Sequence, residues 1–409
     1  MREVDHLLIG GGLAAASCAA KLREEGGDGS ILLVGREPDP PYDRPPLSKD
    51  YLRGESERSD ALVHPDAWWA ENNVELLTRT SVMKLDTTER TATLSNKEEV
   101  HFGKALLATG ANVRRLRAEG ADLEGIHYLR AFANSDAIRA DTANAERVVL
   151  IGGSYIGCEV AASLAAAGKA QCSIVMQEDV VLERHFGPDV GGYFQRLLEE
   201  HGISVHGGDE LERFEGSGER VGKVVTRAGL ELDADCVIVG AGVVPDVMLA
   251  KAAGLELGES GGVKCSSSLR TSAPDVFAAG DMCEYDSPVH GRPLRVEHWD
   301  AAAEQGKTAA LGMLGRETPH EAIPYFFSDL ADWAAMEYVG PGAGEPVIRG
   351  SMDEGEFTAF YVDAGEVTAA LTVGRSDDLK HARRWIAEGG APGAEVLADV
   401  SSDLASERR

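Results

Sequence analysis

Two strand–glycine turn–helix units lie about 140 residues apart, and each is closed by a further apolar strand that stops at glycine. Together with a hairpin pattern near the C-terminus, they predict an α/β fold. The fold has two Rossmann-like dinucleotide-binding domains and a small C-terminal α+β domain.

The first unit is Leu7-Leu8-Ile9-Gly10-Gly11-Gly12-Leu13-Ala14-Ala15, followed by a small-residue helix through Leu22. Gly10 permits a tight turn, Gly12 lets backbone approach a pyrophosphate, and Ala15 sits where helix and strand pack closely. The next strand, Ile31-Leu32-Leu33-Val34-Gly35, is followed by Glu37, a carboxylate suited to both hydroxyls of an adenosine ribose.

The second unit is Val148-Val149-Leu150-Ile151-Gly152-Gly153-Ser154-Tyr155-Ile156-Gly157. Ser154 replaces the second glycine and is expected to add a side chain facing the pyrophosphate. Its following strand, Cys172-Ser173-Ile174-Val175-Met176, ends at Gln177-Glu178, and no Arg or Lys occurs between Ala170 and Leu182. An acid here suits the free 2′-hydroxyl of NADH and repels the 2′-phosphate of NADPH, so NADH is the preferred donor. Whether Gln177 or Glu178 meets the ribose is left open by the sequence. The closing strands end at Ala108-Thr109-Gly110 and at Gly240-Ala241-Gly242. A later apolar strand stops at Gly280-Asp281, where a carboxylate can bind a ribityl hydroxyl. In the C-terminal part, Phe357–Val362 and Val367–Val373 flank Asp363-Ala364-Gly365-Glu366 as a hairpin, and 380–388 reads as a helix. The polar stretch 401–409 is expected to fray.

The 409 residues carry a net charge of −28, which argues against nucleic acid as a partner because phosphates are neutralised by Lys and Arg. The acidity fits either a saline host or a need for solubility. Arg114-Arg115-Leu116-Arg117 is a basic island, read first as a solvated loop and second as a docking patch. No apolar run reaches the roughly 20 residues of a membrane span, and the chain runs from Met1 almost directly into its first strand. A cytoplasmic location is the resulting expectation. Six scattered cysteines form no CxxC pair, and Cys18 and Cys158 fall on apolar helix faces. The eleven histidines show no metal-ligand spacing, so no metal is expected. Trp68-Trp69 reads as the buried side of an amphipathic helix.

These features resemble the FAD-dependent pyridine nucleotide-disulfide oxidoreductase superfamily, which is glutathione-reductase-like in fold. Within it the chain resembles the ferredoxin, rubredoxin and putidaredoxin reductases of oxygenase systems, and the related apoptosis-inducing-factor branch. The most specific match is Pro41-Tyr42-Asp43-Arg44-Pro45-Pro46-Leu47-Ser48-Lys49. Arg295-Val296-Glu297-His298-Trp299-Asp300 with Glu304-Gln305-Gly306 also matches. Pro324-Tyr325-Phe326-Phe327-Ser328-Asp329 resembles a PWFWSD signature, with Tyr325 and Phe327 in place of tryptophans. The resemblance implies a discontinuous FAD domain (1–115 and 245–323), an inserted NADH domain (116–244) and a C-terminal domain (324–409). It implies FAD contacts from Arg44, Lys49, Glu297, His298, Trp299 and Phe327, although core packing is an equal alternative for Trp299. Lys49 is expected beside the flavin and Glu159 as its partner, the alternative for Glu159 being a carboxylate that stabilises a helix N-terminus. Tyr155 and Ile156 are expected to line the nicotinamide pocket.

Disulfide reductases of this superfamily carry a CxxxxC pair beside the flavin, but this chain has no cysteine between Cys18 and Cys158. Dithiol exchange and sulfenate chemistry are therefore excluded there. The leading expectation is an NADH-dependent, FAD-containing reductase that passes electrons to a small iron–sulfur protein or rubredoxin of an oxygenase or P450 system. An acidic acceptor would be repelled unless a patch such as Arg114–Arg117 faces it. The alternative is an apoptosis-inducing-factor-like redox switch, to which Ser154 and the stretch 180–187 look closer. Oligomeric state is open.

Overall fold

The structure, a computed structural model, describes residues 2–168, 170–342 and 344–405. The chain forms two compact units, Met1–Asp43 with Ser59–Asn112 and Val244–Tyr325, and Arg44–Arg58 with Val113–Val243 and Phe326–Arg409.

The first unit is built on a seven-stranded sheet. Arg2–Ile9 lies between Ile31–Val34 and Glu99–Leu107, parallel to both, and Val276–Ala278 joins the far side of Glu99–Leu107. Leu7, Leu8, Leu32, Leu33, Leu106 and Leu107 are fully buried, as strands covered on both faces must be. Helices Leu13–Glu24 and Trp299–Met313 pack across the sheet with almost no space between their backbones. A Cβ on Gly306 would lie 2.2 Å from the carbonyl oxygen of Ala14, and one on Gly312 would lie 2.5 Å from the Phe277 ring. Trp69 is buried in this core and Trp68 packs against its margin, with His64 stacked on Trp68 at 3.8 Å.

The second unit contains a parallel five-stranded sheet with Arg147–Ile151 in the middle, flanked by Gln171–Val175 and Cys236–Val239. A three-stranded antiparallel sheet follows, and then a five-stranded C-terminal sheet with helix Ser376–Glu388 against it. The expected hairpin is present. Asp363 pairs with Glu366 across Ala364 (φ 49) and Gly365 (φ 85), the left-handed pair that a two-residue hairpin turn requires.

Two expectations need correction. The last long helix begins at Ser376 rather than Lys380, because Asp377 and Asp378 favour its N-terminal turn and buried Asp378 also takes hydrogen bonds from Thr358 and Arg375. Residues 401–405 are not frayed. The buried Arg349 guanidinium donates to the carbonyls of Asp399 and Ser402, and Leu404 is buried. Residues 406–409 lie outside the described residues. Among the described residues no helix is long and apolar enough to cross a membrane.

His320, in the first unit, is 3% exposed, and its ring shares a hydrogen bond of 3.0 Å with Thr308 on helix Trp299–Met313. Burial pushes its pKa down to about 4. The unfolded chain therefore binds the proton more readily between about pH 6.5 and 4, and stability falls as pH drops through that window. Denaturant titrations at pH 7 and pH 4.5 should show this loss, and His320→Gln should reduce it by up to about 3 kcal/mol.

Candidate active site

The first glycine turn is shaped to hold an anionic ligand against backbone. Gly10 has φ +130, and a Cβ there would lie 2.0 Å from the carbonyl oxygen of Ala108, so only glycine lets strand and closing strand meet. Gly12 is the N-cap of helix Leu13–Glu24. It makes no side-chain cap, the first turn holds no acid, and a Cβ at Gly12 would meet nothing within 4 Å. Uncapped amide donors beside open space are what a pyrophosphate needs. Ala15 is fully buried beneath the turn. Glu37 follows the second strand and accepts a hydrogen bond of 2.5 Å from Tyr42.

The rest of the first unit's expected contacts lie at strand ends. Thr109 spends its hydroxyl on the Asp246 carbonyl (2.6 Å) and the Met282 sulfur (2.8 Å), which leaves Gly110 (φ 68) to turn the chain. Gly280 (φ 80) donates its amide to the Oε1 of Gln305, a fully buried side chain, and Asp281 follows it. Arg295 ties this turn to Glu297 by bonding both the Asp281 carbonyl and the Glu297 carboxylate. His298 occupies the N-cap position of helix Trp299–Met313 in extended backbone. Trp299 is not core: it is 39% exposed, with its indole N–H on Asp43 at 2.6 Å. A partly exposed aromatic ring fixed in this way suits a planar ligand.

The second glycine turn repeats the logic. Gly152 has φ +108, with a Cβ position 2.6 Å from the Gly240 carbonyl, and a Cβ on Gly157 would lie 2.1 Å from the Gly152 carbonyl. Gly153 faces the Met176 sulfur, and Gly242 (φ +83) opens on empty space. Ser154 departs from expectation. Its backbone is ordinary (φ −86), and its hydroxyl turns inward to the Gly240 carbonyl at 3.0 Å instead of facing outward. The serine therefore ties two strand ends together and leaves the helix N-terminus uncapped. Glu178 stands half-buried just past the end of its strand and is paired with Arg184, a cation two residues beyond Leu182.

A buried polar cluster of the second unit surrounds Glu159, the fifth residue of helix Tyr155–Ala166 and 5% exposed. Its carboxylate receives Lys49 Nζ at 3.0 Å, Ser48 Oγ at 2.5 Å and Ser328 Oγ at 2.5 Å. Lys49 is itself 7% exposed, and its ammonium lies 5.3 Å from the ring centroid of Phe327. A short 3₁₀ turn, Pro45–Ser48, delivers these residues. Ser135 holds its Leu47 carbonyl at 2.9 Å and Ser163 holds its Ser48 carbonyl at 2.7 Å, while Arg44 bonds the Arg130 carbonyl. Strand Tyr325–Leu330 alternates, so that Ser328 is buried and Phe327 is 38% exposed. Burial raises the pKa of neighbouring Asp329, and Lys49 partly offsets the rise. Ile156 is 37% exposed, and Tyr155 meets Phe326 at 4.9 Å and His185 at 4.6 Å.

Several of these partners were not assigned by sequence. Ser48 and Ser328 stood inside matched motifs without a role, because no local spacing connects positions 48, 159 and 328. All six cysteines are buried. Burial pushes the thiols of Cys172 and Cys236 up to about 12 and those of Cys18, Cys158 and Cys283 upward as well. The structure also brings His127, Asp141 and Cys236 donor atoms within 4.8 Å, but Asp141 there is engaged by His127 at 2.6 Å and by Arg220 at 3.1 Å. Arg114, Arg115 and Arg117 are exposed, with Arg115 over the Tyr128 ring.

Removing one member of a buried ion pair strands the other. Glu159→Ala should lower the unfolding free energy by about 3–5 kcal/mol in urea titrations, and the double variant Glu159→Leu/Lys49→Met should recover most of that loss.

Residues 4–306 match the pyridine nucleotide-disulphide oxidoreductase family, and residues 325–407 match the reductase C-terminal family. The ferredoxin reductase subunit of 5,5′-dehydrodivanillate O-demethylase from a Sphingobium species is 34% identical, over 99% of this chain and 98% of that one. The ferredoxin–NAD(+) reductase component of the anthranilate 1,2-dioxygenase system of Burkholderia cepacia is 33% identical, over 97% and 98%. The crystal structure of the ferredoxin reductase for the CYP199A2 system of Rhodopseudomonas palustris superposes with a TM-score of 0.94 at 32% identity, covering 98% of each chain. With both glycine turns built to the same plan and similarity running the length of the chain, this protein belongs to the pyridine nucleotide-disulphide oxidoreductase family.

Proposed function

We propose that this protein is an FAD-dependent NADH oxidoreductase that passes electrons from NADH through FAD to a small ferredoxin- or rubredoxin-type acceptor of an oxygenase or P450 system. The observation that carries the reading is the pair of uncapped glycine-turn helices in a chain whose thiols are all buried. Full-length similarity to ferredoxin reductases supports the acceptor class and weighs against the apoptosis-inducing-factor-like alternative. FAD takes up a hydride as two electrons and releases them singly.

The chain's own part is positional. Gly10, Gly12 and the first helix terminus bind the FAD pyrophosphate, with Glu37 at its adenosine ribose and Thr109, Gly110, Gly280, Asp281, Glu297, His298 and Trp299 around the remainder. Arg44, Lys49 and Phe327, in the second unit, are the further FAD contacts that the family resemblance implies. The turn Gly152–Gly157 binds NADH, with Glu178 at the ribose and Tyr155 and Ile156 at the nicotinamide. Lys49 presents a cation to the reduced flavin in this proposal, and Glu159, held by two hydroxyls, keeps that cation in place. No thiol relay is available, so electrons leave directly to the acceptor. The domain plan proposed with this is an FAD domain from 1–115 and 245–323, an NADH domain from 116–244 and a C-terminal domain from 324–409. The cytoplasm is the proposed compartment.

Two experiments test the reading. Anaerobic addition of NADH should bleach a flavin absorbance band rapidly and NADPH should do so more slowly. Lys49→Met should slow bleaching by about tenfold or more. A protein without a flavin band even after FAD is supplied would refute the proposal. Gly12→Val should retain its fold by circular dichroism, since a Cβ there meets open space, yet should lose most of its FAD.

A further inference from the structure

The stretch 180–187 folds as one short helical turn that stops abruptly. Leu182 opens it in a left-handed conformation (φ 57), which costs a non-glycine residue free energy, and its amide bonds the Gly153 carbonyl at 2.8 Å. The amides of His185 (3.0 Å) and Phe186 (3.1 Å) bond back to the Leu182 carbonyl. Gly187 then leaves helical geometry (φ 78, ψ 172), and Pro188 has no amide hydrogen to offer. The Phe186 carbonyl therefore ends a turn at a break in the helix, and a carbonyl buried there needs a donor from another element.

The C-terminal sheet supplies that donor. Tyr361 is 1% exposed, and its hydroxyl donates to the Phe186 carbonyl at 3.0 Å. Strands Glu356–Asp363 and Glu366–Val373 step in register at Tyr361, which leaves Thr368 as the extra residue of a bulge. The Thr368 hydroxyl donates to the Tyr361 carbonyl at 3.3 Å. A bulge re-aims the side chains beside it, and this one lies at the residue that crosses to Phe186. The Phe186 ring carries the contact onward. It is 1% exposed, meets Tyr155 edge to face at 5.8 Å, and stacks on Phe326 at 6.4 Å.

We infer that Tyr361 is a positioning residue for hydride transfer: its hydroxyl fixes the Phe186 carbonyl and, through the Phe186 ring, the Tyr155 side chain against which the nicotinamide lies. The inference rests on the proposal that Gly152–Gly157 binds NADH with Tyr155 at the nicotinamide. Without the hydroxyl, the Phe186 carbonyl loses its donor and the turn relaxes about Gly187, where a Cβ would meet nothing within 4 Å. The ring moves with it, and Tyr155 loses one wall of its pocket. The C-terminal sheet thereby takes part in ordering the nicotinamide.

Calorimetry on the FAD-loaded protein, comparing NAD+ with ADP-ribose, isolates this role because ADP-ribose lacks only the nicotinamide ring. Tyr361→Phe should weaken NAD+ about fivefold and leave ADP-ribose within about twofold. Anaerobic flavin bleaching at saturating NADH should slow about tenfold in the same variant. Tyr338→Phe is the control, since it removes a hydroxyl of the same sheet that donates instead to the Gly342 carbonyl at 2.7 Å. It should change each of these values by less than about twofold. Equal losses of NAD+ and ADP-ribose, or equal losses in the two tyrosine variants, would show general loosening and overturn the role of Tyr361. Unchanged NAD+ binding and bleaching in Tyr361→Phe would overturn it too and leave the reductase reading intact. Failure of the wild-type protein to bind NAD+ would overturn both.

Discussion

The carboxylate of Glu159 is the constraint around which the second unit is organised. A charge with so little exposure is tolerated only when its lone pairs are filled, and here one ammonium and two hydroxyls fill them. The acceptor and its donors come from three distant stretches of chain: Glu159 from the helix after the second glycine turn, Ser48 and Lys49 from the 3₁₀ turn and the residue after it, and Ser328 from the first C-terminal strand. Folding must therefore bring all three together before any of the polar atoms is satisfied. That requirement explains why a short excursion of chain, Arg44–Arg58, belongs with the nucleotide-binding sheet and the C-terminal sheet of this unit.

The two glycine turns apply the same physics to backbone. In each, a glycine in the left-handed or extended positive-φ region lets a strand end press against the carbonyl of the closing strand. The helix that follows begins without a side-chain cap. Natural helices usually satisfy their first amides locally. At a glycine turn, where no side chain stands between these amides and a ligand, a phosphate can supply the missing acceptors.

Much of this was legible in sequence because it is local. The turns, their flanking strands, the hairpin at Ala364-Gly365 and the burial of Trp69 each follow from a few neighbouring residues. What could not be read was long-range. The inward rotation of Ser154 depends on Gly240, the setting of Glu159 depends on Ser48 and Ser328, and the charge state around Glu178 depends on Arg184 across a turn held by an αL leucine. Helix Ser376–Glu388 was cut short because its first turn is acidic and polar, a composition that resembles a loop until Asp378 is seen buried against Thr358 and Arg375. The C-terminal stretch looked unanchored because its anchor, Arg349, is a residue of the neighbouring sheet.

The burial of every cysteine has a consequence for how such a protein endures its surroundings. Flavins that meet oxygen generate peroxide, and peroxide attacks thiolates far faster than thiols. A chain whose sulfhydryls are buried offers peroxide, and equally iodoacetamide or glutathione disulfide, no exposed thiol to modify in the native state. Thiol oxidation beside oxygen is then limited by unfolding that exposes the sulfhydryls, and thiol reductants contribute little to its preservation.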